Sequence, residues 1–153
     1  MAEALGTAAS LLAILEFAVK ATQYLKDVKH GSSDRIRLRD ELRNTTCLVQ
    51  MLKDRIDDSD DGDLTPASIA WLGGPDGPIE LFKRLLEDIV AKLAPQDRLR
   101  RLAQPFSWPF DKKEVAELLG SLERLKSHFN LVMQNDLVYW SRVWVTRQGS
   151  VSC

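Results

Sequence analysis

The chain has 153 residues, 44% hydrophobic and 28% charged, with Lys+Arg 21 against Asp+Glu 22 and a formal net charge of −1. That length and apolar content suit a single domain with a real core and exclude a disordered tail, while the balanced charge removes any global drive towards nucleic acid or an anionic surface. Two cysteines, Cys47 in a helical pattern and Cys153 at the last position, are too few and too poorly placed for a disulfide framework or a zinc site, which points to a reducing, intracellular setting.

Residues 4–19 read ALGTAASLLAILEFAV, an almost wholly apolar run. A signal peptide needs a cationic region ahead of its apolar stretch, but the chain begins Met-Ala-Glu and its first lysine is Lys20. A permanent transmembrane helix needs about 20 consecutive apolar residues, and Glu16 with Lys20 cuts the run short. The expectation is one long helix over residues 3–29, with Glu3, Thr7, Ser10, Lys20, Gln23 and Asp27 on a polar side and the rest packed in a bundle.

Gly31 ends that helix, and Ser32, Ser33 or Asp34 caps the next. From there Leu38, Leu42, Thr45, Val49, Leu52 and Ile56 alternate steps of four and three, a seam for packing on another helix. Cys47 lies beside the seam and reads as a small packed side chain. In RIRLR, residues 35–39, Arg37 can pair with Glu41 and Arg39 with Asp40, which describes a solvated, salt-laced face. The following loop, DDSDDGDLTPAS, opens like a calcium loop at Asp57, Ser59, Asp61 and Gly62, but position twelve is Ser68 rather than a bidentate Glu, so a solvated acidic loop is the better reading.

A short helical turn is expected at Ser68–Leu72, and a third amphipathic helix follows GGPDGP with Ile79, Phe82, Leu86, Ile89 and Leu93 on one face, ending before Pro95. RLRR, residues 98–101, has Asp97 as its only acidic neighbour, so Arg98, Arg100 and Arg101 form a candidate patch for lipid headgroups or an acidic partner. The last helix starts at Asp111, where Asp111 and Glu114 make a capping-box variant, and carries Val115, Leu118, Leu119, Leu122, Leu125, Phe129, Val132 and Met133. Four such stripes without a convincing strand predict an all-α fold, a bundle of four or more helices with a long apolar N-terminal helix, over residues 1–136. Residues 137–153 form a C-terminal extension, either a continuation of the last helix, with Trp140 and Trp144 at a four-residue step, or the start of a further region; the helix is preferred.

Neither His30 nor His128, nor any serine or cysteine, sits in a nucleophile or metal-ligand motif, and there is no glycine-rich phosphate loop, so no enzyme activity, metal or cofactor is expected. Neither basic cluster carries the interleaved aromatics of a nucleic-acid platform.

The block FSWPFDKKEVAELLGSLERLKSHFNLVMQND, residues 106–136, resembles the most recognisable part of fungal HeLo-like domains, which stand at the N-terminus of fungal NOD-like receptors, often ahead of a NACHT or NB-ARC nucleotide-binding domain. The opening MAEALGTAASLLAILEFAVKATQYLKDVKHGSSDRIRLRDELRNT and the segment GPIELFKRLLEDI are similar to the same family, so the resemblance covers residues 1 to about 136. It implies a helical bundle that signals or executes regulated cell death, cytoplasmic at rest and at the plasma membrane once active, by self-association and insertion of its first helix. Carried onto this chain, Leu5, Leu11, Leu12, Ile14, Leu15, Phe17 and Val19 would enter lipid, and Glu3 and Glu16 would line a pore. Trp108, Pro109 and Phe110 would be structural, fixing the start of the last helix. The implied partners are further copies, membrane lipids and a fused nucleotide-binding domain, although no such domain follows and VTRQGSVSC matches no family feature. The competing expectation is a soluble interaction module that never enters lipid; a pure packing helix would keep a broader polar face than residues 4–19 do.

Overall fold

A computed structural model describes residues 2–28, 33–58, 66–93 and 108–149. They form five helices: α1 (Ala2–Asp27), α2 (Ser33–Asp58), the short α3 (Pro66–Gly73), α4 (Pro78–Leu93) and α5 (Lys112–Gly149). The fold is all-α, with no strand among the described residues.

The stripes of α2, α4 and α5 join the buried side of α1 in one core. Leu38, Leu42, Thr45, Val49, Leu52 and Ile56 of α2 are all buried, as are Ile79, Phe82, Leu86, Ile89 and Leu93 of α4. In α5, Val115, Leu122, Leu125, Phe129 and Val132 are buried, with Leu118, Leu119 and Met133 half-buried against them. Thr45 is tolerated at 0% exposure because its hydroxyl donates to the Glu41 carbonyl at 2.9 Å, leaving no orphaned polar group.

Helix directions follow from which residues meet. Arg35, near the start of α2, reaches the Leu25 and Lys26 carbonyls at the end of α1, so those helices are antiparallel. Phe82 meets Phe129 edge-on at 6.2 Å and Lys92 meets Glu114, so α4 and α5 are antiparallel too. Glu41 pairs with Lys126 while Arg55 donates to the Met133 carbonyl at 3.2 Å, so α2 and α5 run the same way. The spatial order is therefore α1, α2, α5, α4: α1 packs on α2 and α4, α5 packs on the same two, and α1 and α5 lie across the bundle from each other. The chain crosses this diagonal between α2 and α4, and α3 sits at the crossing, packed on α1 and α4.

The GGPDGP turn sets the angle of α4. The Gly77 amide donates to the Gly74 carbonyl at 2.9 Å, with Pro75 and Asp76 between them and Asp76 at φ 59°, a left-handed conformation that Asp tolerates. A Cβ on Gly77 would lie 2.5 Å from the Trp71 carbonyl oxygen, so only glycine fits there. Pro78 then opens α4 at the one position where a missing amide costs nothing. At the start of α5 the capping box forms in both directions: the Glu114 amide donates to Asp111 Oδ1 at 2.8 Å and the Asp111 amide to Glu114 Oε2 at 2.9 Å. α5 then runs to Gly149 without a break, so the extension continues the last helix up to that point.

Three expectations need correction. Thr7 is 7% exposed rather than on a polar side: it lies one turn before Leu11 and faces Gly73 of α3, where a Cβ would come within 3.2 Å of its hydroxyl. Cys47 is exposed, because two residues beyond the buried Thr45 it points about 200° round the helix. Glu41 takes Lys126 of α5 rather than Arg37, although Arg39 does pair with Asp40 at 3.1 Å.

Candidate functional site

The candidate site is α1 itself. Its sequence is rich in Ala and Leu, strong helix formers, and it contains no proline. By length and composition Gly6–Asp27, 22 residues, is long and apolar enough to cross a membrane, and it is the one such helix among the described residues. Glu16 and Lys20 both lie within this segment.

Folding divides the residues of the apolar run between two faces. Leu11, Ile14 and Leu15 are buried, in line with Ala18, Ala21, Leu25 and the following Val28. Leu12 is 50% exposed and Val19 64% exposed, and Phe17 is half-buried. Gly6, Ala9, Ser10, Ala13, Glu16 and Lys20 share that outer face, which continues through the exposed Gln23, Lys26 and Asp27, so it is made of small and apolar residues as far as Val19 except for Ser10 and Glu16, and is polar beyond. Lys20 holds its ammonium 5.9 Å from the centre of the Tyr24 ring, and Glu16 is solvated. Leu5 and Glu3 belong to the first turns of α1, but their side chains lie outside the described residues.

Beside this face, between α1 and α4, runs an open groove of about 390 Å³. Ala13, Ile14, Phe17 and Ile79 give it an apolar floor, and Glu80, Lys83 and Glu87 a charged rim. Packing of α1 on α4 is therefore incomplete where Ser10, Ala13 and Phe17 face Ile79, Lys83 and Glu87.

Polar anchoring of α1 is slight. Among the described residues none of its side chains enters an ion pair. Thr22 donates to the Ala18 carbonyl at 2.8 Å and Gln23 to Asp27 at 3.0 Å, both within the helix. The outside contact is Arg35, whose guanidinium donates to the Leu25 and Lys26 carbonyls at 3.2 Å and so satisfies the C-terminal end of α1 with a cation. Sequence reasoning placed Arg35 in a solvated basic cluster; its position just after the connection between two helices was the signal for this role.

Trp108, Pro109 and Phe110 stand at the far end, before α5. Phe110 is buried, Trp108 is half-buried with its ring 5.1 Å from that of Phe110, and Pro109 is exposed. Lys92 lies 5.3 Å over the Phe110 ring and pairs with Glu114, so the motif ties the end of α4 to the start of α5. Arg98, Arg100 and Arg101, His30 and the acidic loop at 59–65 lie outside the described residues. His128 is half-buried and meets Trp71 edge-on at 5.5 Å. No group of His, Cys, Asp or Glu able to hold a metal ion occurs among the described residues.

No protein-family model, curated protein or solved structure matches the chain.

Proposed function

We propose that this chain is a membrane-acting helical bundle of the HeLo-like kind, the N-terminal executioner domain of a fungal NOD-like receptor, which triggers regulated cell death when clustered copies release α1 into the bilayer. The observation that carries this reading is the combination in α1 of membrane-spanning length and apolarity with an outer face that leaves Leu12 and Val19 in water. Burial of Leu11, Ile14, Leu15, Leu25 and Val28 holds the helix down, and exposing those five side chains to water would cost about 10 kcal/mol. A bilayer removes that cost, because lipid tails receive the same apolar surface. Glu16 is solvated in the bundle, and in a membrane it is tolerable where copies together enclose water. The charged-rimmed groove between α1 and α4 favours a second reading, a soluble module that takes up a partner helix without entering lipid.

The test is dye leakage from anionic liposomes by the purified chain. Leu12→Asp is the informative variant: Leu12 already faces water, so the bundle accepts the carboxylate, while at the centre of a bilayer it costs about 3 kcal/mol. Leakage by the wild type that disappears in a folded, helical Leu12→Asp supports membrane action. A folded wild type that neither binds nor permeabilises liposomes, even when artificially dimerised, supports the soluble module instead.

A further inference from the structure

The outer face of α1 has a charge pattern that selects a partner in water. Ala9, Leu12, Glu16, Val19 and Gln23 alternate steps of three and four along the exposed side, a second seam opposite the one packed in the core. Glu16 and Lys20 lie one turn apart on this face, and among the described residues neither has an ion-pair partner in its own chain. Ala9 and Ala13 beside them are small enough for another backbone to come close.

We propose that two copies of this chain pair antiparallel along the outer faces of their first helices, Glu16 of each facing Lys20 of the other. A parallel pairing in register would set Glu16 against Glu16 and Lys20 against Lys20. Only the antiparallel arrangement matches both charges, and it does so twice, as a two-fold axis requires. The axis passes close to Val19, so the two exposed valines meet there and Leu12 of each copy is covered by the last turns of the other helix. Leu12 and Val19 are thereby withdrawn from solvent. The pairing does not rest on the proposed membrane role.

Sedimentation equilibrium of the full chain in lipid-free buffer tests it. The wild type is expected to show a dimer that dissociates on dilution. Glu16→Lys and Lys20→Glu should each weaken association about tenfold or more, with unchanged circular dichroism, because each sets like charges together. The double variant Glu16→Lys/Lys20→Glu restores the opposite-charge facing and should dimerise again. A wild type that stays monomeric throughout, single variants that associate as tightly as the wild type, or a double variant that fails to recover each overturn the proposal. Dye leakage on the same preparations is read separately: a chain that leaks dye yet stays monomeric overturns the pair and leaves the membrane reading standing, and a chain that pairs without leaking does the reverse.

Discussion

The first two helices have the same length, 26 residues each, and lie side by side, yet they are held by different forces. Both bury a continuous apolar stripe. On its remaining faces α2 exposes Ile36 and Met51 among paired polar groups: Arg39 pairs with Asp40, Lys53 with Asp57, and Gln50 donates to Asp54 at 2.7 Å. It is also tied to α5 by Lys126, which joins Glu41 to Glu123, and by Arg55 at the Met133 carbonyl. Among the described residues α1 has no such ties beyond Arg35 at its last turn, and on its outer face the exposed Leu12 and Val19 stand beside Glu16 and Lys20, which take no ion-pair partner there. Polar ties are directional and have no counterpart in lipid, whereas apolar burial can be exchanged for any other apolar medium. On the proposed reading, α2 stays in the bundle and α1 is the helix that is released.

The largest effect should come from the buried face of α1. Leu11→Ala removes a fully buried side chain and is expected to lower unfolding stability by about 2–5 kcal/mol in a denaturant titration, whereas Leu12→Ala, one residue along, should stay within about 0.5 kcal/mol. If Leu12→Ala destabilises as much as Leu11→Ala, the two-faced description of α1 is wrong.

A smaller effect sharpens the other side of the comparison. Lys126→Met should cost about 1 kcal/mol near neutral pH by cutting the tie between α2 and α5. The hydrogen bond donated by Lys126 holds the Glu123 carboxyl below its ordinary value, and the bonds Lys126 donates to Glu123 and Glu41 raise its own ammonium above its ordinary value. A lowered carboxyl stabilises the fold above its ordinary range and loses that contribution as pH falls through its folded value; a raised ammonium stabilises below its ordinary range and loses it as pH climbs through its folded value. The difference between wild type and Lys126→Met should therefore be flat from mildly acidic to mildly basic pH and shrink at both extremes. Stability curves for the two proteins across pH check this, and a difference that peaks at acid pH contradicts it.

Much of this contrast could be read from residue spacing. The stripes from Leu38 to Ile56 and from Ile79 to Leu93 are fully buried because a 3.6-residue period alone decides which side chains share a face. The reciprocal bonds of Asp111 and Glu114 are local in the same way, reaching only three residues along the chain. What escaped depends on contacts distant in sequence. Helical spacing puts Thr7 on the polar side, because nothing nearby in sequence announces Gly73 of α3 as its neighbour. Helical spacing offers Arg37 to Glu41, but Lys126 reaches that carboxylate from α5. The apolar run from Leu11 to Val19 was legible as unusual; its division into a core face and a water face appears only once α2 and α4 take their places on one side of it.

The most direct test of this division is amide hydrogen exchange on the folded chain, followed helix by helix with and without anionic liposomes. The account predicts that amides between Leu11 and Leu25 exchange through an opening that leaves α2, α4 and α5 protected, and that liposomes widen the gap. Equal protection of α1 and α2 under both conditions would contradict it, because the first helix would then be as permanent a part of the bundle as the second.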